Sequence, residues 1–230
     1  MTESKPKRLR VFAGPNGSGK TTLAKNLSAD GKLHLKIFVN ADEIENELVK
    51  NGFLPLDYYN IKTSTSHIRN FVSRFGMSPE KLNRPDIITS ISISNNKIYF
   101  QGNANSYIAS DIASFIREQL LEQQQSFAFE TVFSHESKLQ FMKKAKSLGY
   151  KVYFYFLATD DPEININRVN VRVDKKGHAV DPKKIVQRYY RSLDLLYDAV
   201  KTSSREYIFD NSGKYFDLIA EVEGGRKVEI

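Results

Sequence analysis

One segment constrains this chain more than any other: Gly14-Pro15-Asn16-Gly17-Ser18-Gly19-Lys20-Thr21, a full match to the pattern G-x-x-x-x-G-K-[ST]. At ordinary residue frequencies a chain of this length carries such a match by chance in roughly one case in a hundred. Its surroundings sharpen the reading. The apolar run Leu9 to Ala13 precedes it as a buried strand, and Lys20 to Leu27 follows with helix-forming residues, which is the strand, loop and helix order such a loop requires. Glycines let successive backbone N–H groups converge on phosphate oxygens, and the helix amino terminus adds partial positive charge. The candidate nucleotide-binding residues are therefore Gly14, Asn16, Gly17, Ser18, Gly19, Lys20, Thr21 and Thr22. Lys20 is expected to bridge the β- and γ-phosphates of ATP, and the Thr21 hydroxyl to ligate Mg2+.

The rest of the chain alternates short apolar strands with helices. Lys36 to Val39 reads as a second strand and is followed by an acidic helix start, Asn40-Ala41-Asp42-Glu43. Ser126 to Glu130 and Lys151 to Ala158 read as further strands, with a helix from about Glu136 to Leu148 between them. Asp160-Asp161-Pro162 opens a helix, Asp181-Pro182 opens a second one running to about Lys201, Glu206 to Phe209 is a strand, and the tail reads as a hairpin turning at Gly224-Gly225. Between residues 53 and 105 the pattern changes, with three prolines and an alternating run, Ile87 to Gln101, around Asn95-Asn96 that reads as a β-hairpin. These features predict an α/β fold over residues 1–230: a P-loop NTPase sandwich with a mostly parallel central sheet and helices on both faces. Residues 53–105 form an inserted subdomain or substrate flap, and residues 160–182 a lid.

A phosphate loop specifies a nucleotide and not its use. Guanine-specific switches would need N-K-x-D, which Asn96-Lys97-Ile98-Tyr99 fails, and no L-S-G-G-Q transporter signature is present. The remaining branch transfers the γ-phosphoryl group to a hydroxyl, which takes a carboxylate to accept the proton and cations to neutralise the transferring group. Asp42 stands just past the second strand, at the sheet edge that also bears the phosphate loop, and so reads either as that base or as a helix cap. Glu130, ending the third core strand, reads as an acceptor-binding residue, as a holder of a Mg2+ water, or as a plain strand-end carboxylate. Arg168 and Arg172, four apart on one helix face, are the leading candidates for clamping the phosphates, with Arg188 and Arg191 second. His178 sits in the same region and reads more readily as a surface loop residue.

Composition removes several other classes. The chain has 230 residues, no cysteine and a net charge of +7, which excludes disulfides, thiolate metal sites and cysteine nucleophiles. Its longest apolar run, Val152 to Ala158, is far short of a membrane span. The amino-terminal MTESKPKRLR carries no apolar signal stretch, which predicts a cytoplasmic location. Eight basic residues between Arg168 and Arg191 face only Asp174 and Asp181. Such a patch attracts phosphates and, with Tyr189, Tyr190 and Tyr197 interleaved, keeps a kinase or ATPase acting on nucleic-acid ends as an alternative. A non-catalytic, nucleotide-dependent binding protein using residues 53–105 as its contact surface is a third.

With the phosphate loop, Asp42, the Phe129-Glu130-Thr131 strand end and the arginine-bearing segment in this order, the sequence resembles the zeta toxin family, and within it a subgroup with a Gly-His lid often labelled predicted ATPases. The resemblance covers residues 9–50 and 126–210. It implies a P-loop kinase that phosphorylates a hydroxyl of UDP-N-acetylglucosamine and a bacterial toxin restrained by an antitoxin; the segment before Leu9 is too short for a fused helical antitoxin, which predicts restraint in trans. It also implies roles: Lys20 and Thr21 on ATP and Mg2+, Asp42 as base, Glu130 on the acceptor, and Arg168 or Arg172 as the lid arginine. The family's prototypes carry a Thr two places after the glutamate. Here Val132 occupies that place and Thr131, one place early, is the substrate-binding candidate.

Overall fold

The structure is a computed structural model that describes residues 6–174, 180–224 and 226–228. The chain divides into two compact units, one of Met1–Lys36 with Ser126–Ile230 and the other of Ile37–Gln125. Strand β1 (Arg8–Ala13) leads through the glycine loop into helix α1 (Lys20–Ala29). The second unit opens with β2 (Phe38–Val39), α2 (Ala41–Asn51) and β3 (Phe53–Pro55). It continues through α3 (Thr65–Phe75), α4 (Ser78–Lys81), β4 (Ile91–Ser94), β5 (Lys97–Phe100) and α5 (Ser106–Glu122). The chain then returns to the first unit with β6 (Phe127–Thr131), α6 (Glu136–Ser147) and β7 (Lys151–Ala158). Helices α7 (Pro162–Asp174), α8 (Pro182–Asp194) and α9 (Leu196–Thr202) follow, and β8 (Arg205–Asp210), β9 (Asp217–Glu223) and β10 (Arg226–Val228) close it.

In the first unit the main sheet runs in the order β10-β9-β8-β7-β1-β6. Strands β6, β1, β7 and β8 are parallel, and β9 and β10 add an antiparallel edge. This is the mostly parallel α/β sheet the strand-helix alternation predicts. Strands covered on both faces carry continuous apolar runs: Leu9, Val11, Phe12 and Ala13 of β1 are fully buried, as are Val152, Phe154, Phe156 and Leu157 of β7. Register places Phe12 opposite Tyr155 and Tyr155 opposite Tyr207. Their rings stack at 4.7 and 5.0 Å, a cross-strand aromatic column that fixes the alignment of three strands. The same register sets Phe12 beside Glu130 and Ala13 beside Thr131, so β6 ends where the phosphate loop begins.

The single helix expected from Pro182 to about Lys201 is two helices, parted at Leu195. The Ser192 hydroxyl turns back onto the Tyr189 carbonyl at 2.8 Å, and the Leu195 amide meets the Arg191 carbonyl at a long 3.4 Å. The expected tail hairpin is β9 and β10; its Gly225 lies outside the described residues.

The second unit contains the 53–105 segment together with α2 and α5. Asn95 and Asn96 turn the β4–β5 hairpin with φ of 46° and 56°, the left-handed pair a two-residue turn needs. Strand β3 joins β5 on its other side, making three strands. Helix α3 is absent from the sequence reading, although its signal is there. The Ser64 side chain caps it by accepting from the His67 amide, and Ile68 and Val72 are buried at helical spacing. Arg69 fastens α3 to β4 by donating to the Ile91 and Thr89 carbonyls at 2.7 and 2.6 Å. Asp111 of α5, 2% exposed, accepts from the amides of Met77 and Ser78, both at 2.8 Å, and so holds the start of α4.

Candidate active site

Two glycines make the phosphate loop possible. Gly14 leaves β1 at φ +142°, and a Cβ there would lie 2.4 Å from the Leu157 carbonyl oxygen. Gly19, in the left-handed region at φ +93°, precedes α1, and a Cβ would lie 2.5 Å from the Asn211 amide nitrogen. No side chain caps α1 and no acidic residue stands in its first turn. The first-turn N–H groups therefore keep their capacity for an anion.

The loop is gripped from outside by side chains of distant elements. Asn165 of α7 donates to the Asn16 carbonyl at 2.7 Å and is itself fixed by the Thr159 hydroxyl at 2.5 Å. Asn211, just past β8, donates to the Ser18 carbonyl at 2.8 Å. Arg188 of α8 donates to the Asn16 side-chain oxygen at 3.3 Å. Asn165 and Asn211 escape the sequence reading. For Asn165 the available signal is a polar residue between Ile164 and Ile166; Asn211, between Asp210 and Ser212, carries no such signal.

At the loop's far end Lys20, 6% exposed, donates to the Pro15 carbonyl at 2.9 Å and stands 3.9 Å from the Glu130 carboxylate. The Thr21 hydroxyl donates to Glu130 at 2.7 Å. Strand pairing thus joins three of the expected residues, Lys20, Thr21 and Glu130. The donor set, one hydroxyl and one carboxylate beside an ammonium, suits a hard divalent cation carried on phosphate oxygens. Among the described residues no group of three or more His, Asp or Glu side chains is placed to hold a metal ion by itself. Thr22 is exposed on α1. Thr131 accepts from the Phe133 amide at 3.1 Å and so shapes the turn after β6, where Phe133 takes φ 58°.

The other expected residues fall elsewhere. Asp42 lies in the second unit, exposed, in the first turn of α2. The cap of α2 is Asn40, whose side chain accepts from the Asp42 amide at 2.9 Å, so the capping role considered for Asp42 is corrected. Arg168 of α7 donates to the carbonyls of Asn211, Ser212 and Gly213 at 2.6, 3.4 and 3.3 Å, binding the turn after β8. Arg172 is exposed in the last turn of α7. Of the segment 160–182, residues 175–179, His178 included, lie outside the described residues. The tyrosines of the basic stretch divide. Tyr189 is buried with its hydroxyl on the Thr159 carbonyl, and burial raises its pKa, while Tyr190 and Tyr197 are exposed.

A sequence model of the zeta toxin family matches residues 100–218, just over half of the chain. The chain belongs to the zeta toxin family. Solved structures with the same fold stand beside this zeta toxin family member. The AvrRxo1-ORF1:-ORF2 complex with ATP superposes with a TM-score of 0.59 at 14% identity, covering 97% of this chain and 60% of that one. The PezAT chromosomal toxin-antitoxin system of Streptococcus pneumoniae gives a TM-score of 0.51 at 14% identity, over 95% of this chain and 72% of that one. At such identities the likeness is one of fold. A Haemophilus influenzae protein described as uncharacterized is 32% identical over 69 residues, which is 30% of this chain and 49% of that relative. The zeta toxin family member thus spans about half the length of the curated relative it matches. No helix among its described residues is long and apolar enough to cross a membrane.

Proposed function

We propose that this chain is an ATP-dependent phosphotransferase that moves the γ-phosphoryl group to a hydroxyl of a small molecule, a UDP-linked amino sugar such as UDP-N-acetylglucosamine. In this reading it acts in the cytoplasm as a zeta-type toxin, held in check by a separate antitoxin protein. The observation that carries the reading is the meeting of Lys20, Thr21 and Glu130 at the mouth of a phosphate loop. Family membership supports it, as do neighbours of the same fold that include a complex with ATP and a toxin-antitoxin system.

Each residue then has a task. The loop amides and Lys20 would cradle the phosphates, with Lys20 exchanging the Pro15 carbonyl for a phosphate oxygen. Thr21 would ligate Mg2+, and Glu130, already on the Thr21 hydroxyl, would accept from a water on the ion. Bound Mg2+ supplies neutralisation of charge shared between the β- and γ-phosphoryl oxygens. Asp42 takes the acceptor's proton as general base, a role assigned from its place after β2. In the alternative assignment the family resemblance gives, Glu130 faces the acceptor, and Thr131 next to it is a further substrate-binding candidate.

The test is transfer of label from γ-labelled ATP to UDP-N-acetylglucosamine, with wild type, Lys20→Ala and Asp42→Asn side by side. The expected result is transfer by wild type alone, with ATP binding kept by Asp42→Asn. ATP binding without transfer to any nucleotide sugar overturns the acceptor, and failure to bind ATP overturns the kinase.

A further inference from the structure

Four arginines compete for the developing charge on the transferring phosphoryl group, and the structure separates them; Arg191 lies exposed in the last turn of α8. Arg168 is committed to three consecutive carbonyls of the turn after β8. A guanidinium has five N–H donors in a fixed fork, and a fork seated on three carbonyls of one turn has a bracing task. Arg172 lies exposed at the end of α7. Arg188 differs from the other three. It is half-buried, and its hydrogen bond among the described residues goes to the phosphate loop itself, to the Asn16 side chain at 3.3 Å. No carboxylate among the described residues stands within ion-pair distance of it.

A partly buried cation without an acidic partner is costly in water-poor surroundings unless an anion joins it. Its backbone is held firmly. The next residue, Tyr189, is 6% exposed and anchored by its hydroxyl to the Thr159 carbonyl at the end of β7. Ile185, one turn earlier, is fully buried against Ile166 and Val169 of α7. Thr159 also fixes Asn165, which holds the Asn16 carbonyl, so one threonine ties both the loop and the helix bearing Arg188. The bond from Arg188 to Asn16 is long and neutral on its acceptor side, and a phosphate oxygen is a stronger acceptor for the same fork.

We infer that Arg188 contacts the terminal phosphate of the bound nucleotide and stabilises it during transfer, while Arg168 is a positioning residue acting through the Asn211–Gly213 turn. The inference rests on the kinase reading for its catalytic half, and on phosphate binding alone for the rest. It places the decisive charge on a helix fixed to the sheet, so part of the phosphate clamp is preorganised.

Calorimetric titration of the full chain with ADP and with a non-hydrolysable ATP analogue, both with Mg2+, separates the possibilities. Arg188→Ala is expected to weaken the analogue on the order of tenfold and ADP less than twofold, with Arg188→Lys between it and wild type. Arg168→Ala is expected to weaken both ligands by one common factor. Where wild type transfers phosphate, Arg188→Ala lowers kcat on the order of 10²- to 10³-fold. Equal weakening of both ligands by Arg188→Ala, or none, overturns the assignment. So does an Arg168→Ala protein that loses the analogue selectively. A wild type that binds both ligands and transfers nothing overturns the kinase reading, and the affinity ratio still decides Arg188. Arg188→Lys, which keeps the charge and stem, guards against loss through misfolding.

Discussion

The Thr21 hydroxyl and the Glu130 carboxylate, 109 positions apart, meet at 2.7 Å because β6 lies beside β1 and ends where the phosphate loop starts. In the proposed reading, with Thr21 on Mg2+, a carboxylate that accepts from the Thr21 hydroxyl would accept from a water on the ion instead. Glu130→Gln is therefore expected to raise the Mg2+ concentration for half-maximal turnover and lower kcat about 10- to 100-fold. A Mg2+ titration of turnover with this variant checks it. An unchanged Mg2+ requirement with weakened binding of the acceptor would instead assign Glu130 to the acceptor.

Asn211 is 9% exposed and donates to the Ser18 carbonyl, while its own carbonyl accepts from Arg168. Asn211→Ala leaves a loop carbonyl without its donor, at a cost of about 1–2 kcal/mol. The expected outcome is a thermal midpoint lower by roughly 2–8 °C and weaker binding of ADP and ATP alike, read by scanning calorimetry and titration.

Asp111→Ala removes the acceptor for two backbone amides, Met77 and Ser78, from a nearly closed site. About 2–4 kcal/mol of stability should be lost, since the Ser78 amide stays buried without a partner. Hydrogen exchange localises the effect: the amides of Met77 and Ser78 should lose protection well ahead of those in β1 and β7.

Glu206 of β8 is fully buried, and neither carboxylate oxygen has a hydrogen-bond partner. Burial pushes its pKa up to about 7 from the ordinary 4.5, with Glu223 adding to the rise and Lys146 opposing it. Between those two values the folded chain holds a proton that the unfolded chain has released, so stability falls as pH rises through that window. The contribution is complete below the unfolded value and gone above the folded one. Glu206→Gln should flatten the dependence, measured as thermal midpoints at about pH 5 and about pH 8. A midpoint difference as large as wild type's in Glu206→Gln would assign the dependence to another group.

Much of this molecule is legible along the chain because its signals are local. The phosphate loop needs glycines at fixed positions, the strands Lys151–Ala158 and Leu9–Ala13 announce themselves by unbroken apolar runs, and Asn95-Asn96 marks its own hairpin. These are properties of neighbouring residues, set by φ/ψ preference and by the period of burial. The signal of helix α3, a Ser64 cap and buried Ile68 and Val72, is equally local, but Pro55, Pro79 and Pro85 on either side of it mask it.

Which distant side chains attend the loop is set by the packed fold. Sequence determined an α/β chain with a phosphate loop and a short set of carboxylates and arginines. Sheet order then chose among them, bringing Glu130 to Thr21, seating Arg168 on a turn instead of on the loop, and sending Arg188 to Asn16. Separation along the chain explains why. Residues 16 and 188 share no helix or strand period, and their meeting depends on the pairing of β1 with β7 and on the packing of α8 over α7. No pattern of neighbours encodes such a contact, because it is fixed by cooperative burial of the whole unit.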